Sequence, residues 1–310
     1  MPITIKSRSK GLRDTEIDLS KKPTLDDVLK KISANNHNIS KYRIRLTYKK
    51  ESKQVPVISE SFFQEEADDS MEFFIKDLGP QISWRLVFFC EYLGPVLVHS
   101  LFYYLSTIPT VVDRWHSASS DYNPFLNRVA YFLILGHYGK RLFETLFVHQ
   151  FSLATMPIFN LFKNCFHYWV LSGLISFGYF GYGFPFGNAK LFKYYSYLKL
   201  DDLSTLIGLF VLSELWNFYC HIKLRLWGDY QKKHGNAKIR VPLNQGIFNL
   251  FVAPNYTFEV WSWIWFTFVF KFNLFAVLFL TVSTAQMYAW AQKKNKKYHT
   301  RRAFLIPFVF

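Results

Sequence analysis

Leu203-Ser204-Thr205-Leu206-Ile207-Gly208-Leu209-Phe210-Val211-Leu212-Ser213-Glu214-Leu215-Trp216-Asn217-Phe218-Tyr219-Cys220-His221 is the stretch on which the fold turns. With its continuation to residue 227 it is apolar for long enough to cross a bilayer, which takes about 20 residues at roughly 1.5 Å each. Yet it carries Glu214, Asn217 and His221, and Arg225 follows four residues on. At about 100° per residue, offsets of zero, three, seven and eleven fall within roughly 80° of one another, so one face of the predicted helix is a polar stripe. Tyr138, Arg141, Thr145 and His149 repeat the spacing in a second apolar run. Three more glutamates, Glu91, Glu144 and Glu259, sit in comparable runs. An ionisable side chain at that depth costs roughly 2.5–3.5 kcal/mol on insertion scales and persists where it has a partner or a task. Hydrogen bonding between helices explains one such stripe adequately; two matched stripes containing arginine point to function.

Outward from this run, the chain splits by composition. It has 310 residues, one-fifth of them aromatic, and a formal net charge of +15, but the first 80 residues hold 13 of the 22 acids and only 15 of the 37 bases. The remainder is greasy and basic. Six spans are read there, at about 83–107, 125–148, 165–185, 203–227, 256–272 and 273–292, the last two as a hairpin around Lys271 and Asn273. The fold class expected is therefore an α-helical multi-pass membrane protein. Lys232, Lys233, Lys238 and Arg240 in loop 228–241, and Lys293, Lys294, Lys296, Lys297, Arg301 and Arg302 in the tail, place both segments on the cytosolic side, and with six spans both termini are cytosolic. Loop 108–124 then faces the other compartment, as does segment 186–202, against the sign of Lys190, Lys193 and Lys199.

The polar N-terminus, residues 1–78, reads as a separate domain. Residues 3–8, 15–19, 42–48 and 71–75 alternate as strands do, and Thr24 opens a helix over residues 24–32 with Asp26 and Asp27 in its first turn and Leu25, Val28, Leu29 and Ile32 on one face. Strand, strand, helix, strand, strand is the order of a ubiquitin-like β-grasp.

Several chemistries are disfavoured. The bases collect between apolar runs and at the C-terminus instead of on a polar domain with interleaved aromatics, so anionic lipid or a phosphorylated cofactor is expected and nucleic acid is not. Cys90, Cys165 and Cys220 form no C-x-x-C, the nine histidines form no metal-binding box, and no G-x-S-x-G is present, so neither a metal centre nor a hydrolase nucleophile is expected. Gly178-Tyr179-Phe180-Gly181-Tyr182-Gly183 lies in an apolar segment rather than after a strand, which suits close helix packing better than dinucleotide binding. At Pro254-Asn255-Tyr256-Thr257-Phe258-Glu259, proline and asparagine mark a helix start where free N–H groups favour an anion.

That last block, with Gln286-Met287-x-x-Trp290-Ala291 and Arg302-Ala303-Phe304-Leu305-Ile306-Pro307-Phe308, resembles the steroid 5α-reductase family, and within it the very-long-chain trans-2-enoyl-CoA reductases of the endoplasmic reticulum. Glu91-Tyr92-Leu93-Gly94-Pro95, His137-Tyr138-Gly139-Lys140-Arg141 and Asn217-x-x-x-His221-x-x-Leu224-Arg225 match as well. The resemblance implies NADPH as hydride donor and the last step of the fatty-acid elongation cycle, alongside elongase, ketoreductase and dehydratase partners. It implies that Glu91 and Tyr138 hydrogen-bond the substrate carbonyl. It also implies that Asn217, His221, Arg225, Asn255, Glu259 and Arg141 line the cofactor, with Tyr298 and tail bases adding contacts. His221 replaces the aspartate of the steroid reductases, and Tyr256 stands where they carry an apolar aromatic.

Hydride addition to the β-carbon of a conjugated thioester leaves an enolate, so the reaction needs donors at the thioester oxygen and an acid for the α-carbon. Glu91 in its acid form and Tyr138 suit the first role. Tyr256 is the expected proton donor, and Gln81 a weaker positioning residue. An integral-membrane methyltransferase using S-adenosylmethionine and a proton-coupled transporter are the alternative readings, the latter disfavoured by the lack of an internal repeat.

Overall fold

The computed structural model describes residues 2–51, 53–68, 70–118, 122–151, 153–185, 200–235 and 241–307. The chain divides into two compact units, Met1–Trp84 with Phe151–Asn160, and Arg85–Gln150 with Leu161–Phe310. Lys190, Lys193 and Lys199 of the expected far-side segment, Lys238 and Arg240 of loop 228–241, and Phe308 lie outside the described residues.

In the first unit, alternation builds a five-stranded sheet from β1 (Pro2–Ser7), β2 (Thr15–Asp18), β3 (Ile44–Lys50), β4 (Lys53–Pro56) and β5 (Phe73–Asp77), in the order β2-β1-β5-β3-β4. Only β1 and β5 run parallel, with Ile5 opposite Phe73. Ile5, Ile17, Ile44, Leu46, Phe73 and Ile75 form one core with Leu25, Val28 and Ile32 of helix α1 (Leu25–Asn35) and Phe62 and Phe63 of the single-turn α2 (Phe62–Glu65). Thr24 caps that helix reciprocally: its hydroxyl accepts from the Asp27 N–H (3.2 Å), and the Asp27 carboxylate accepts from the Thr24 N–H (3.1 Å). This arrangement is compatible with a β-grasp. Two features differ from the sequence reading. β4 is a short polar edge strand ending at Pro56, which gives almost no alternation signal. A ribbon of β6 (Gln81–Ser83) and β7 (Thr155–Pro157) draws Phe151–Asn160 into this unit.

The second unit is helical. It contains α3 (Trp84–Leu105), α4 (Pro109–Trp115, within the expected loop 108–124) and α5 (Pro124–Phe143), the last continued by a π-helical turn at Glu144–Val148. A third apolar segment changes its winding along its length, from α6 (Phe159–Cys165) through a π-helix at Phe166–Ser172 to a 3-10 stretch at Gly173–Phe180. Then come α7 (Leu203–Lys233), a short α8 (Ile247–Leu250), α9 (Pro254–Val269) and α10 (Leu274–Tyr298). Lys271 and Phe272, both with φ near +50°, turn the chain between the last two helices, and the Asn273 side chain caps α10.

Among the described residues three helices, Trp84–Leu105, Leu203–Lys233 and Leu274–Tyr298, are long and apolar enough to cross a membrane. The other apolar segments are shorter, broken or charged: α5 carries Arg128, Lys140 and Arg141, and the 16 residues of α9 reach only about 24 Å at 1.5 Å each. Helix packing is nonetheless continuous, with Tyr92, Ile134, Tyr138, Ile175, Tyr179, Phe210, Trp263, Phe266, Phe270 and Phe279 buried in one cluster. Among apolar surroundings such contacts hold helices together by close packing rather than by expelling water.

Candidate functional site

Ionisable groups of α5, α7 and α9 pair in a network of two adjoining clusters, one around His137, Lys140 and Asn217 and one around Arg141 and Glu144. His137 lies between two carboxylates, with Nδ1 2.8 Å from Glu214 and Nε2 3.3 Å from Glu259. Lys140 reaches Glu214 at 2.5 Å and donates to the Asn217 side-chain oxygen at 2.6 Å. Asn217, fully buried, spends its amide on the backbone carbonyl of Asn255 (2.8 Å) and on Glu259 (3.0 Å). Three helices are thus tied by charge-assisted hydrogen bonds, each group partnering the next, which is the condition under which buried charge is tolerated.

One turn further along, Arg141 donates to Glu144 (2.6 Å) and to the Tyr92 hydroxyl (2.8 Å), while its guanidinium lies 4.9 Å from the centroid of the Tyr92 ring. His221 approaches Glu144 at 2.9 Å and Arg141 at 3.2 Å, and His149 packs edge-on against His221. The π-helical turn makes this possible, since its extra width carries Glu144 and Thr145 into the interior. The ligand atoms of Glu144, His149 and His221 lie within 4.8 Å of one another, a spacing a metal ion can use. The Arg141 guanidinium already neutralises that cluster, and its charge opposes a second cation there.

The third apolar segment holds the two residues expected at the substrate carbonyl. Asn164 donates to buried Glu91 (2.8 Å), whose other oxygen makes no hydrogen bond among the described residues, and Tyr138 donates to Ser172 (2.8 Å). Trp169 lies flat against the bare backbone of Gly94 and donates to the Cys90 carbonyl (2.9 Å), fixing this segment on α3.

The expected residues therefore fall into groups. Asn217, His221, Glu259, Arg141 and Asn255 belong to the network, with Glu91 and Tyr138 beside it through the Tyr92 and Tyr138 rings, 6.4 Å apart. Arg225 does not join: it pairs with Asp229 (2.9 Å) on its own helix and donates to the Val148 carbonyl (2.9 Å). Tyr256 packs on Trp290 with the Lys294 ammonium 4.3 Å from its ring centroid, next to the small cluster of Val260, Met287, Ala291 and Phe304. Tyr298 ends α10 beneath Lys297. Gln81 belongs to the first unit, where its amide donates to the Gly79 carbonyl (3.1 Å) and its oxygen accepts from Thr155 (3.3 Å). Of the tail bases, Arg302 is committed to structure, donating to the Phe248 carbonyl (2.7 Å) and the Asn244 side chain (2.8 Å).

His137, Lys140, Tyr92, Asn164 and Ser172 escaped the sequence reading as site residues. His137 and Lys140 stand in the quoted His-Tyr-Gly-Lys-Arg run, but their partners come from another helix and leave no spacing signal. Besides Glu214 Oε2, which the Lys140 ammonium reaches, two buried polar atoms of the network have no hydrogen-bond partner among the described residues, the Asn255 side-chain oxygen and Arg141 Nε. A native interior rarely leaves such atoms unsatisfied, so they mark where a bound polar group makes contact.

Residues 154–310 match the family described as 3-oxo-5-alpha-steroid 4-dehydrogenase. The chain is 35% identical over 307 residues to a protein of Dictyostelium discoideum named very-long-chain enoyl-CoA reductase, covering 94% of this chain and 93% of that one. It is 41% identical over 244 residues to a putative enoyl reductase of Schizosaccharomyces pombe, covering 76% and 75%. Against a probable very-long-chain enoyl-CoA reductase of Caenorhabditis elegans it is 36% identical over 250 residues, again covering 76% and 75%. The network of α5, α7 and α9 thus lies in a chain that belongs to the 3-oxo-5-alpha-steroid 4-dehydrogenase family, among relatives that bear the names of enoyl-CoA reductases.

Proposed function

We propose that the chain reduces very-long-chain trans-2-enoyl-CoA to saturated acyl-CoA with NADPH, as the last step of the fatty-acid elongation cycle. The observation that carries this reading is the pairing of two adjoining polar groups: Asn217, Asn255 and Glu259 around an orphaned amide oxygen, and Glu91 and Tyr138 beside them in the same helical unit. The orphaned Asn255 oxygen fits a carboxamide donor, and Arg141 Nε fits an acceptor, both of which a nicotinamide nucleotide offers. Bound NADPH supplies the hydride that reaches the substrate β-carbon.

The chain's own residues do the rest. Glu91 in its acid form and Tyr138 donate to the thioester oxygen as negative charge gathers there, Tyr138 turning its one proton from Ser172 to the substrate while the Ser172 hydroxyl donates back to the Tyr138 oxygen, and burial strengthens those hydrogen bonds. Tyr256, with Lys294 against its ring, delivers the proton to the α-carbon. Tail bases meet the 2′-phosphate. We place the helical unit in the endoplasmic reticulum membrane as six spans, with both termini, the basic segments and the β-grasp domain of residues 1–78 cytosolic. Long-chain elongase, ketoreductase and dehydratase enzymes are its expected partners.

Purified full-length protein in detergent, given NADPH and a long trans-2-enoyl-CoA, oxidises the nucleotide in step with formation of saturated acyl-CoA. Methyl transfer from S-adenosylmethionine, or ion flux without turnover, would replace this reading. Tyr256→Phe abolishes turnover with nucleotide binding kept; full turnover in that variant removes Tyr256 from the chemistry.

A further inference from the structure

Three polar residues spaced by four, Asn164, Tyr168 and Ser172, punctuate the third apolar segment. The outer two hold the side chains set against the thioester oxygen: Asn164 donates to Glu91 (2.8 Å) and Ser172 accepts from Tyr138 (2.8 Å). Tyr168 stands between them along the segment, inside the π-helical stretch Phe166–Ser172, a winding common at functional sites. Its ring meets Tyr92 edge-on at 5.1 Å and Tyr138 edge-on at 6.3 Å, and Tyr92 and Tyr138 are 6.4 Å apart, so the three rings close a triangle.

The three hydroxyls are differently committed. The Tyr92 oxygen accepts from Arg141, and the Tyr138 proton goes to Ser172. The Tyr168 hydroxyl makes no hydrogen bond among the described residues, although its ring packs on the main core. Tyr168 is half-buried, its ring held by the core while its O–H has no protein partner among the described residues, so this donor can meet a group that arrives.

We propose that Tyr168 is a further catalytic residue, donating to the thioester oxygen of the enoyl substrate as a third donor beside Glu91 and Tyr138. The inference rests on the reductase reading above. Hydride addition to the β-carbon pushes the π electrons of the double bond onto the thioester oxygen, making an enolate. Tyr168 keeps its proton and shares it with that oxygen. When the enolate collapses, the α-carbon takes a proton from the separate acid, which regains one from solvent. Asn164 and Ser172 are positioning residues, acting through Glu91 and Tyr138.

The test uses the full-length protein in detergent with NADPH and a long trans-2-enoyl-CoA. Tyr168→Phe keeps the ring packing and removes only the donor, so kcat falls by about 10²–10³-fold, the usual effect of deleting one oxyanion donor. KM stays within about threefold, because the contact strengthens only as charge develops. NADPH affinity, read by fluorescence titration, is unchanged. The thioester C=O stretch of bound substrate, lowered in the wild type by the donated bond, moves back toward its free frequency in the variant. A Tyr168→Phe enzyme with kcat within about threefold of wild type overturns the proposal. So does a loss of turnover matched by a loss of NADPH affinity. Should that variant not fold, 3-fluorotyrosine at position 168 lowers the alkaline limb of the kcat profile; an unmoved limb overturns the proposal equally. A wild type that oxidises no NADPH with any enoyl-CoA defeats the reductase reading itself, whereas active wild type beside unimpaired Tyr168→Phe defeats only this inference.

Discussion

Asn255 contributes to the site in two separable ways. Its backbone carbonyl accepts from Asn217, while its side-chain oxygen is buried without a partner. An unsatisfied buried acceptor costs about 1–3 kcal/mol, which a ligand donor offsets. Asn255→Ala therefore leaves the backbone contact in place, does not lower the melting temperature, and weakens NADPH binding about tenfold, or about 1.4 kcal/mol. Fluorescence titration checks this; a destabilised variant with unchanged affinity would assign the amide to packing. His137 presents the opposite case, a group whose removal strands charge, because Glu214 and Glu259 both lean on its ring. His137→Leu should cost roughly 3–5 kcal/mol, read as a lowered melting temperature in detergent, since a buried pair broken from one side leaves the other charge unpaired. A variant melting with the wild type would show that Lys140 alone carries both carboxylates. At this scale the sequence was half legible: offset arithmetic exposed Glu214, Asn217 and His221 on one face, but nothing in a single helix reveals that His137 and Lys140 of another meet them.

Individual helices were read well where winding is regular and poorly where it changes. The helix Leu203–Lys233 follows its stripe from Asp202, whose side chain caps the Thr205 N–H (2.8 Å), through His221 without a break. The third apolar segment passes from α to π to 3-10 winding; Asn164, Tyr168 and Ser172, spaced by four, fall within about 80° at a helical period, but nothing in the segment itself shows that Glu91 and Tyr138 of other helices meet its outer two. What fixes that segment is a contact rather than a propensity. A Cβ on Gly94 would fall inside the Trp169 indole, and that same indole donates to the Cys90 carbonyl one turn earlier on α3. Gly94→Ala is therefore expected to push Trp169 off α3 and, with it, Asn164 off Glu91. Turnover falls at least tenfold while NADPH affinity, set by α7 and α9, holds within about twofold. Loss of both together would mean that the element does more than carry the substrate-side donors. A Trp169→Phe companion keeps most of the ring, loses the donated bond, and falls between.

Across the whole molecule, charge and hydropathy are distributed so that the two units respond to different conditions. The first 80 residues hold 13 of the 22 acids, and here carboxylates are stabilised by exposed or half-exposed cations rather than by an interior network. Asp77 accepts from Arg43 through both oxygens (3.1 and 2.5 Å) and from the Gly79 N–H (2.8 Å), joining the end of β5 to the start of β3. The guanidinium holds the Asp77 carboxyl below its ordinary value, against a smaller opposing effect of burial. Asp26 is held near 2, first by Lys30 and then by Lys41. Because these folded-state values are depressed, their contribution to stability is complete above the unfolded carboxylate value of about 3.9 and drains away as pH falls through the folded value. Acid should therefore loosen the first unit. Hydrogen–deuterium exchange of the full-length protein, corrected for the intrinsic pH dependence of exchange, would show protection in β3 and β5 falling between about pH 4 and pH 2, the range from the unfolded carboxyl value down to the depressed folded one. In Asp77→Asn the same peptides start less protected at pH 6 and change less on acidification, since the group that titrates is gone. Identical profiles for variant and wild type would place the acid-sensitive contact elsewhere in the sheet. The buried carboxylates of Glu91, Glu144, Glu214 and Glu259 offer a built-in comparison in the same sample, because they sit among fixed partners on helices whose backbone bonds are internal, and helical peptides there should stay protected while the sheet exchanges.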